Sequence, residues 1–416
     1  MKICLVTTFP PSHAGLAEYG FHIARELQRN PLLSLTILAD ELTAPAPEME
    51  EFSVVRCWSF NRANNPARLL RKLHELKPDV IWFNMGFSTF GDRPFPTLTG
   101  ICIPALSRLS GHYTHVTLHQ VIDYVDLRAA GIRFPSLYRA AGYMATRMVL
   151  MSNSISVLLP AYRRTLRERY RRDNIHIRVH GIFSGRPEPP DLSLRGSPLH
   201  RVLAFGKWGT YKRLEQMLEA FPLIAARVPN VQLVVAGGDH PKTPGYVESV
   251  ARQHRSDPRI VFTGYVQEDA IPELFKTASV AVMPYSSAAG SSGVAHLACS
   301  YGVPILSADI TDFREMADEE QIAIKFFDTG NTQSLVDQLV DLLQSPEQQR
   351  EMAEQNFSAA MRMTMPQVVR QYLRAFDIHQ RTKALEPMRR FRRIPSWVPS
   401  RSALARAVAA RTAPWL

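Results

Sequence analysis

The sequence predicts an α/β protein with two doubly wound parallel-sheet domains and a cleft between them. Three observations carry this. Short apolar runs alternate with helical stretches through residues 1–380, as parallel sheets covered on both faces require. A break rich in Pro, Ser and Gly, FSGRPEPPDLSLRGSPLH at 183–200, splits the alternation into two series of about 180 residues each. A length of 416 residues suffices for two or three domains, each with its own core.

In the first series, residues 2–8 (KICLVTT) read as a buried strand. FPPSHAGLAEYG leads into a helix over 17–28, with Leu16, Tyr19, Ile23 and Leu27 on one stripe. The turn around Gly15 therefore lies between a strand and a helix N-terminus. Strands are expected at 35–39, 53–57, 80–83, 114–119, 155–159 and 175–179, with helices at 68–76 and in the Arg-rich stretch after 159. The second series opens with a strand at 201–205 and a helix at 211–226. A strand at 232–236 ends on Gly237-Gly238. A helix at 244–254 has Thr243 as N-cap and Pro244 at its first position. A strand at 260–262 leads into Gly264-Tyr265-Val266, followed by a helix at 270–278, a strand at 305–306, and helices at 331–343, 346–358 and 366–379.

Residues 279–304, SVAVMPYSSAAGSSGVAHLACSYGVP, organise the second series. The apolar run 280–283 is a strand, which Pro284 stops because it has no N–H to donate. Small residues follow, and 294–300 can form a helix ended by Gly302 and Pro304. Unpaired N–H groups at the positive end of a helix dipole suit an anion such as a phosphate. The same pattern also serves as an ordinary tight connection with nothing bound. Lys207 and Lys212 flank the turn after 201–205. Two cations five residues apart near a helix start can clamp a diphosphate from two sides, or stand as solvated surface lysines.

Net charge is +11, but residues 381–416 hold nine Lys/Arg against one acid, Glu386, so eight of the eleven charges belong to a basic tail. Anionic lipid suits such a tail, as would nucleic acid, which the nearly balanced body does not favour. MRRFRRIPSWVPS interleaves Arg with apolar and aromatic residues, as suits a bilayer interface. Arg401, Arg406 and Arg411 then recur every five residues, which rotates them around a helix instead of lining one face. No apolar run approaches the roughly 20 residues of a membrane span, and MKICLVTTFPP carries no secretory pattern. Cys4, Cys57, Cys102 and Cys299 lie far apart in mostly apolar runs, as buried thiols of a reduced compartment do. A cytoplasmic protein is expected, peripheral at the inner face of the cell membrane if the tail engages lipid.

AFGKWGTYKRLEQMLEAF, VQLVVAGGD, RIVFTGYVQEDAIPELFKTASVAVMPY and YGVPILSADITDFREM, in that order, resemble the retaining GT-B glycosyltransferases of family four (glycosyltransferases group 1). FPPSHAGLAEYGFHIARELQ looks like that family's first loop and helix, and PDVIWFN, TLHQ and VHGIFSG fit its later strands. The likeness spans about residues 1–380. It implies two Rossmann-like domains facing a cleft: 1–183 for the acceptor, a linker at 184–200, and 201–365 for a nucleotide-sugar donor. A late helix, 366–380, would return to the first domain, and 381–416 would be the tail. The activity implied is hexosyl transfer from a nucleoside-diphosphate sugar to an acceptor hydroxyl with retention, needing neither cofactor nor metal. A saccharide or lipid-linked saccharide acceptor fits surface-polysaccharide or glycolipid assembly.

By the same resemblance Lys207 and Lys212 match the basic residues at the donor phosphates. Gly264-Tyr265-Val266 matches the loop at the nucleobase, Gly15 the second glycine of the first loop, and His119 a histidine near donor sugar and acceptor. One departure stands out. The family's two glutamates, eight positions apart, fall on Ala289 and Leu297 here. Ser291, Ser292 and Gly293 are expected to replace the first through hydroxyl and N–H donors, and His296 to reach a ribose hydroxyl. Glu315 matches an acidic position near the ribose. A structural histidine or a surface acid is the plainer reading of His119, His296 and Glu315. His22, His74, His112, His115 and His240 show no ligand spacing, so no metal site is assigned. Two other functions stay open: a non-catalytic nucleotide-sugar-binding protein, and a nucleotide-sugar epimerase of related fold.

Overall fold

A computed structural model describes the chain except residues 13–14, 43–46, 48, 125–134, 184, 195–198, 241, 288–289 and 392–416. It divides into two compact units, 1–369 and 370–416. Residues 1–369 contain two sheets, parallel throughout. The first comprises β1 (Lys2–Val6), β2 (Ser34–Asp40), β3 (Val54–Trp58), β4 (Val80–Met85), β5 (Thr114–Leu118), β6 (Ser154–Val157) and β7 (Ile175–Ile177), in the order β3-β2-β1-β4-β5-β6-β7. The second comprises β8 (His200–Phe205), β9 (Val231–Ala236), β10 (Ile260–Gly264), β11 (Val280–Met283), β12 (Ile305–Ala308) and β13 (Ile324–Phe327), in the order β10-β9-β8-β11-β12-β13.

Central strands are buried on both faces, which is why they read as unbroken apolar runs: all six residues of β4 and all four of β11 are buried. Strand order reverses between β1 and β4, and again between β8 and β11. In open sheets of this type the crevice for a ligand opens at the carboxyl ends of those strands. The loops that follow β1, β8 and β11 are the stretches the sequence singled out. One apolar core runs continuously from residues of the first sheet into residues of the second, while a further cluster backs the other face of the second sheet.

Some elements depart from the periodicity. Helices Pro94–Ile101, Ile103–Leu109 and Pro135–Val149, and the edge strand β13, carry no clear sequence signal. The helix expected from 211 begins at Leu214, because Arg213 adopts a left-handed conformation (φ 43°) and residues 206–213 form a turn. Thr243 does not cap the next helix, Tyr246–Gln253. Its hydroxyl donates to the Trp208 carbonyl, and Asp239 instead accepts the N–H groups of Gly245 (2.6 Å) and Val247 (2.7 Å).

After the second sheet the chain rejoins the first domain at Ile182. Its N–H donates to the Met363 carbonyl at 2.9 Å, and the Met365 N–H donates to the Ile182 carbonyl at 3.2 Å. The helix that starts there, Met365–Phe391, continues past residue 380, so the start of the expected tail is helical. The rest of the tail lies outside the described residues. No described helix is long and apolar enough to cross a membrane. All four cysteines are free thiols, and burial pushes Cys4 up to about 12 and Cys57 up to about 11, the behaviour of inert core residues.

Candidate functional site

The turn after β8 is built around a buried indole. Trp208 is fully buried; its ring N–H donates to the Ala236 carbonyl at 3.1 Å and its backbone N–H to Gly238 at 2.9 Å. This anchor fixes the lysines on either side. Lys212 folds back over Gly206, where a Cβ would run into Nζ, and Nζ sits 5.2 Å from the centre of the buried Tyr285 ring. Cation–π attraction offsets part of its lost hydration. Neither Lys207 nor Lys212 has an ion-pair partner among the described residues. Burial first, and the Lys207 charge second, pull the Lys212 ammonium down to about 8. Lys207 itself is exposed and also lies within electrostatic reach of the Glu18 carboxylate.

The small-residue loop after β11 lies against this turn. Ser286 donates its N–H to the Tyr211 carbonyl at 2.8 Å, and the Tyr211 and Tyr285 rings meet edge to face at 5.8 Å. Helix Gly293–Ser300 follows, with Ser292 as N-cap accepting the Ala295 N–H at 3.3 Å. The expectation that Ser291 and Ser292 offer hydroxyls outward is corrected. Their Oγ atoms face the sulfurs of Met316 (3.6 Å) and Met283 (3.4 Å). What remains is backbone: among the described residues, no hydrogen bond takes up the N–H groups of Ser291, Ser292 and Gly293. Free amides at a helix N-terminus suit an anion, and the same loop is tied to the lysine turn through Ser286 and Tyr211.

Gly290 brings the first domain to this loop. With φ at 98°, a Cβ there would collide with the His119 carbonyl. His119 follows β5 and is buried, with Nε2 2.7 Å from Asn84 Oδ1. That oxygen can only accept, so Nε2 carries the proton and Nδ1 keeps its lone pair. Burial pushes the ring down to about 4, so it is neutral at physiological pH. Tyr19 packs edge-on at 5.0 Å, and His180 lies 6.3 Å away.

Two expected ligand contacts are placed elsewhere. His296 is buried, with Nδ1 2.7 Å from the Ser292 carbonyl and Nε2 2.7 Å from Glu320 Oε2, so neither nitrogen is left for a ribose. Burial opposes its charge, but the Glu320 carboxylate and the Ser292 carbonyl outweigh that and raise its pKa. Both ring nitrogens thus face acceptors, contacts that favour the charged ring, in the first turn of helix Gly293–Ser300. Glu315 accepts the Ala161 N–H at 3.0 Å and Arg164 Nη2 at 2.6 Å. The start of helix Pro160–Tyr170, with its free N–H groups, claims that carboxylate in place of the expected ribose.

Tyr265 is 68% exposed, at the mouth of an open groove lined also by Thr263, Val266 and Gln267. The Gly264 carbonyl accepts the Gly237 N–H at 2.9 Å, tying this loop to the end of β9. Gly15 is exposed, and a Cβ there would meet nothing within 4 Å, so no protein contact demands glycine. The Pro-Pro loop before it contains a cis bond between Pro10 and Pro11. It is held by Asp40, which accepts the Phe9 N–H (3.0 Å) and the Ser12 hydroxyl (2.6 Å).

Sequence spacing does not announce one further grouping. Glu18 and His22 of helix Ala17–Gln28 meet Glu268 of the second domain, with one ligand-type atom from each within 4.8 Å of the others.

Residues 199–345 match a family model described as glycosyl transferases group 1. Over 120 residues the chain is 29% identical to an uncharacterized glycosyltransferase, MJ1607, of Methanocaldococcus jannaschii; the match covers 29% of this chain and 30% of that protein, less than a third of the relative's length. Sucrose-phosphate synthase from Thermosynechococcus elongatus superposes with a TM-score of 0.72 at 14% identity, covering 92% of this chain and 99% of that one. Anabaena HepE, solved in complex with UDP and glucose, gives 0.66 at 13%, covering 91% and 99%. WaaG, a glycosyltransferase involved in lipopolysaccharide biosynthesis, gives 0.61 at 15%, covering 91% and 99%. The fold is GT-B.

Proposed function

We propose that this protein is a glycosyltransferase that moves a hexosyl group from a nucleoside-diphosphate sugar to an acceptor hydroxyl with retention, in the assembly of a surface polysaccharide or glycolipid. The observation that carries the reading is the desolvated Lys212, stacked on Tyr285 beside Lys207 and the unpartnered amides of residues 291–293. The group 1 match falls on the domain that holds these groups. A solved relative of the same fold was crystallised with UDP-glucose.

In the proposed reaction the bond between the anomeric carbon and the diphosphate oxygen breaks. The acceptor oxygen bonds to that carbon on the same face, and the acceptor proton passes to the departing phosphate oxygen. Lys207, Lys212 and the amides stabilise the charge that develops there, the role of preorganised donors. Neutral His119 positions a sugar hydroxyl through the lone pair on Nδ1. Tyr265 and the backbone of 264–266 hold the nucleobase. Because the chain supplies its own cations, turnover is expected to persist in EDTA. Transfer assays with UDP- and GDP-sugars and lipid-linked acceptors, with Lys212→Ala as control, test the reading; nucleotide binding that ignores Lys212 would defeat it.

A second reading has one observation behind it. Leu297 stands where the family has its ribose-binding glutamate, and His296 and Glu315 do not replace it. A binding protein of this fold would hold a nucleotide sugar without turnover, and calorimetry in parallel with the transfer assay separates the two.

A further inference from the structure

Glu18 and His22 lie one turn apart on one face of helix Ala17–Gln28, and Glu268 approaches from the 3-10 turn Glu268–Ala270 of the second domain. The imidazole is 2% exposed, whereas both carboxylates are open to solvent. Its plane is fixed by stacking on Phe183 at 4.3 Å and 6°. Arg25 Nη2 lies 2.9 Å from Nδ1. A guanidinium only donates, so Nδ1 accepts and, in the neutral ring, Nε2 carries the proton. Burial first, and the Arg25 charge second, hold this ring down to about 3, so it is neutral. Among the described residues Nε2 has no hydrogen-bond partner, and Glu268 Oε1, at 3.8 Å, is beyond hydrogen-bond reach. A buried N–H therefore lies beside two carboxylates, 3.8 Å from Glu268 Oε1, and bonds to neither, which is unfavourable if left unmet.

The chemistry selects the ligand. A metal ion needs a lone pair on Nε2, where the proton sits. An anion is repelled by two carboxylates. An ammonium group cannot accept from the N–H. A hydroxyl does both: it accepts from Nε2 and donates to a carboxylate, and a sugar offers several on adjacent carbons. We infer that Glu18, His22 and Glu268 form a hydroxyl-binding subsite for a saccharide, spanning the two domains. The inference rests on the donor reading above for the origin of that saccharide: the sugar of the nucleotide or the acceptor.

The test is calorimetry and saturation-transfer NMR on the full chain. The probes are UDP, GDP, their glucose, galactose, mannose and N-acetylglucosamine conjugates, and the corresponding free methyl glycosides. His22→Phe keeps the ring on Phe183 and removes the N–H; His22→Gln restores one; Glu268→Gln alters an exposed carboxylate. Nucleotide affinity is expected to stay within about twofold in all three, while saccharide-dependent affinity falls roughly tenfold in His22→Phe and Glu268→Gln and largely returns in His22→Gln. Loss confined to the conjugates assigns the subsite to the donor sugar, and loss confined to the free glycosides assigns it to the acceptor. Unchanged saccharide affinity in His22→Phe and Glu268→Gln overturns the subsite and leaves the donor reading standing. A wild-type chain that binds none of these saccharides, free or conjugated, overturns it as well. Failure of UDP and GDP to bind sinks the donor reading, and the free glycosides still decide the subsite. Zinc or manganese bound by the wild type and lost in Glu268→Gln overturns the hydroxyl chemistry in favour of a metal.

Discussion

The Tyr162 hydroxyl of the first domain donates to the Asp312 carboxylate of the second at 2.8 Å, and the same oxygen accepts the Gly290 N–H at 3.2 Å. One buried carboxylate thus ties helix Pro160–Tyr170 of one sheet domain to the small-residue loop of the other. Tyr162→Phe removes the donor and leaves the loop with a carboxylate that has lost half of its bonding. The expected cost is about 1–3 kcal/mol in urea unfolding. Saccharide transfer should fall more than nucleotide binding, because the lock joins the domains and not the phosphate to its amides.

On the proposed reading, Lys212 should make phosphate binding sensitive to mildly alkaline pH. Its pKa in the folded chain, about 8, lies below its ordinary 10.5. The bound diphosphate needs the ammonium, so affinity should fall as pH rises through 8, by roughly fivefold between pH 8 and 9 if this group alone titrates. Stability runs the other way. Between about 8 and 10.5 the unfolded chain binds the extra proton, so folding stability rises with pH. Calorimetry with UDP at pH 7, 8 and 9, beside thermal melts of the free protein, checks both signs; Lys212→Arg should remove both dependences.

The buried His296–Glu320 pair braces helix Gly293–Ser300 after the small-residue loop. Its contribution has the sign of a group whose pKa is raised on folding. It is fully present below the histidine's ordinary value near 6.5 and is lost as pH rises through the higher folded value. Glu320→Gln removes the acceptor that favours the charged ring and should cost about 3 kcal/mol in chemical denaturation, with a shallower loss of stability as pH rises past 6.5. A variant as stable as wild type would show that the pair carries no charge.

Gly290 brings the loop close against the first domain at the His119 carbonyl. Gly290→Ala places a Cβ against the His119 carbonyl at a backbone angle that disfavours side chains. The expected result is about 1–3 kcal/mol of destabilisation and weaker UDP binding, because the loop must retreat from the amide geometry it now holds. Gly293→Ala, with nothing within 4 Å of the added atom, is the matched control and should melt within a degree or two of wild type.

The basic tail yields a separable prediction. A chain ending at residue 391 should bind UDP as the full chain does, yet lose sedimentation with vesicles rich in anionic lipid, since five of the tail's nine Lys/Arg and both of its tryptophans lie beyond that point. Equal vesicle binding by both chains would remove the tail from the account.

The sequence by itself determined the two-sheet architecture and where its distinctive turns lie. Fully buried parallel strands must read as apolar runs, as β4 and β11 do, and turns such as Gly206 and Gly290 must use glycine where a side chain has no room. Both signals are local, so they survive in one dimension. The lysine turn after β8 and the small-residue loop after β11 were legible for the same reason. Only the tertiary structure decided which polar groups were already spent. His296 is taken by Glu320, 24 residues on, and Glu315 by a helix end 151 to 154 residues before it. Trp208 becomes the anchor of the lysines only when β9 lies beside it. The grouping of Glu18 and His22 with Glu268 exists because two domains face each other, a relation that spacing along the chain does not encode.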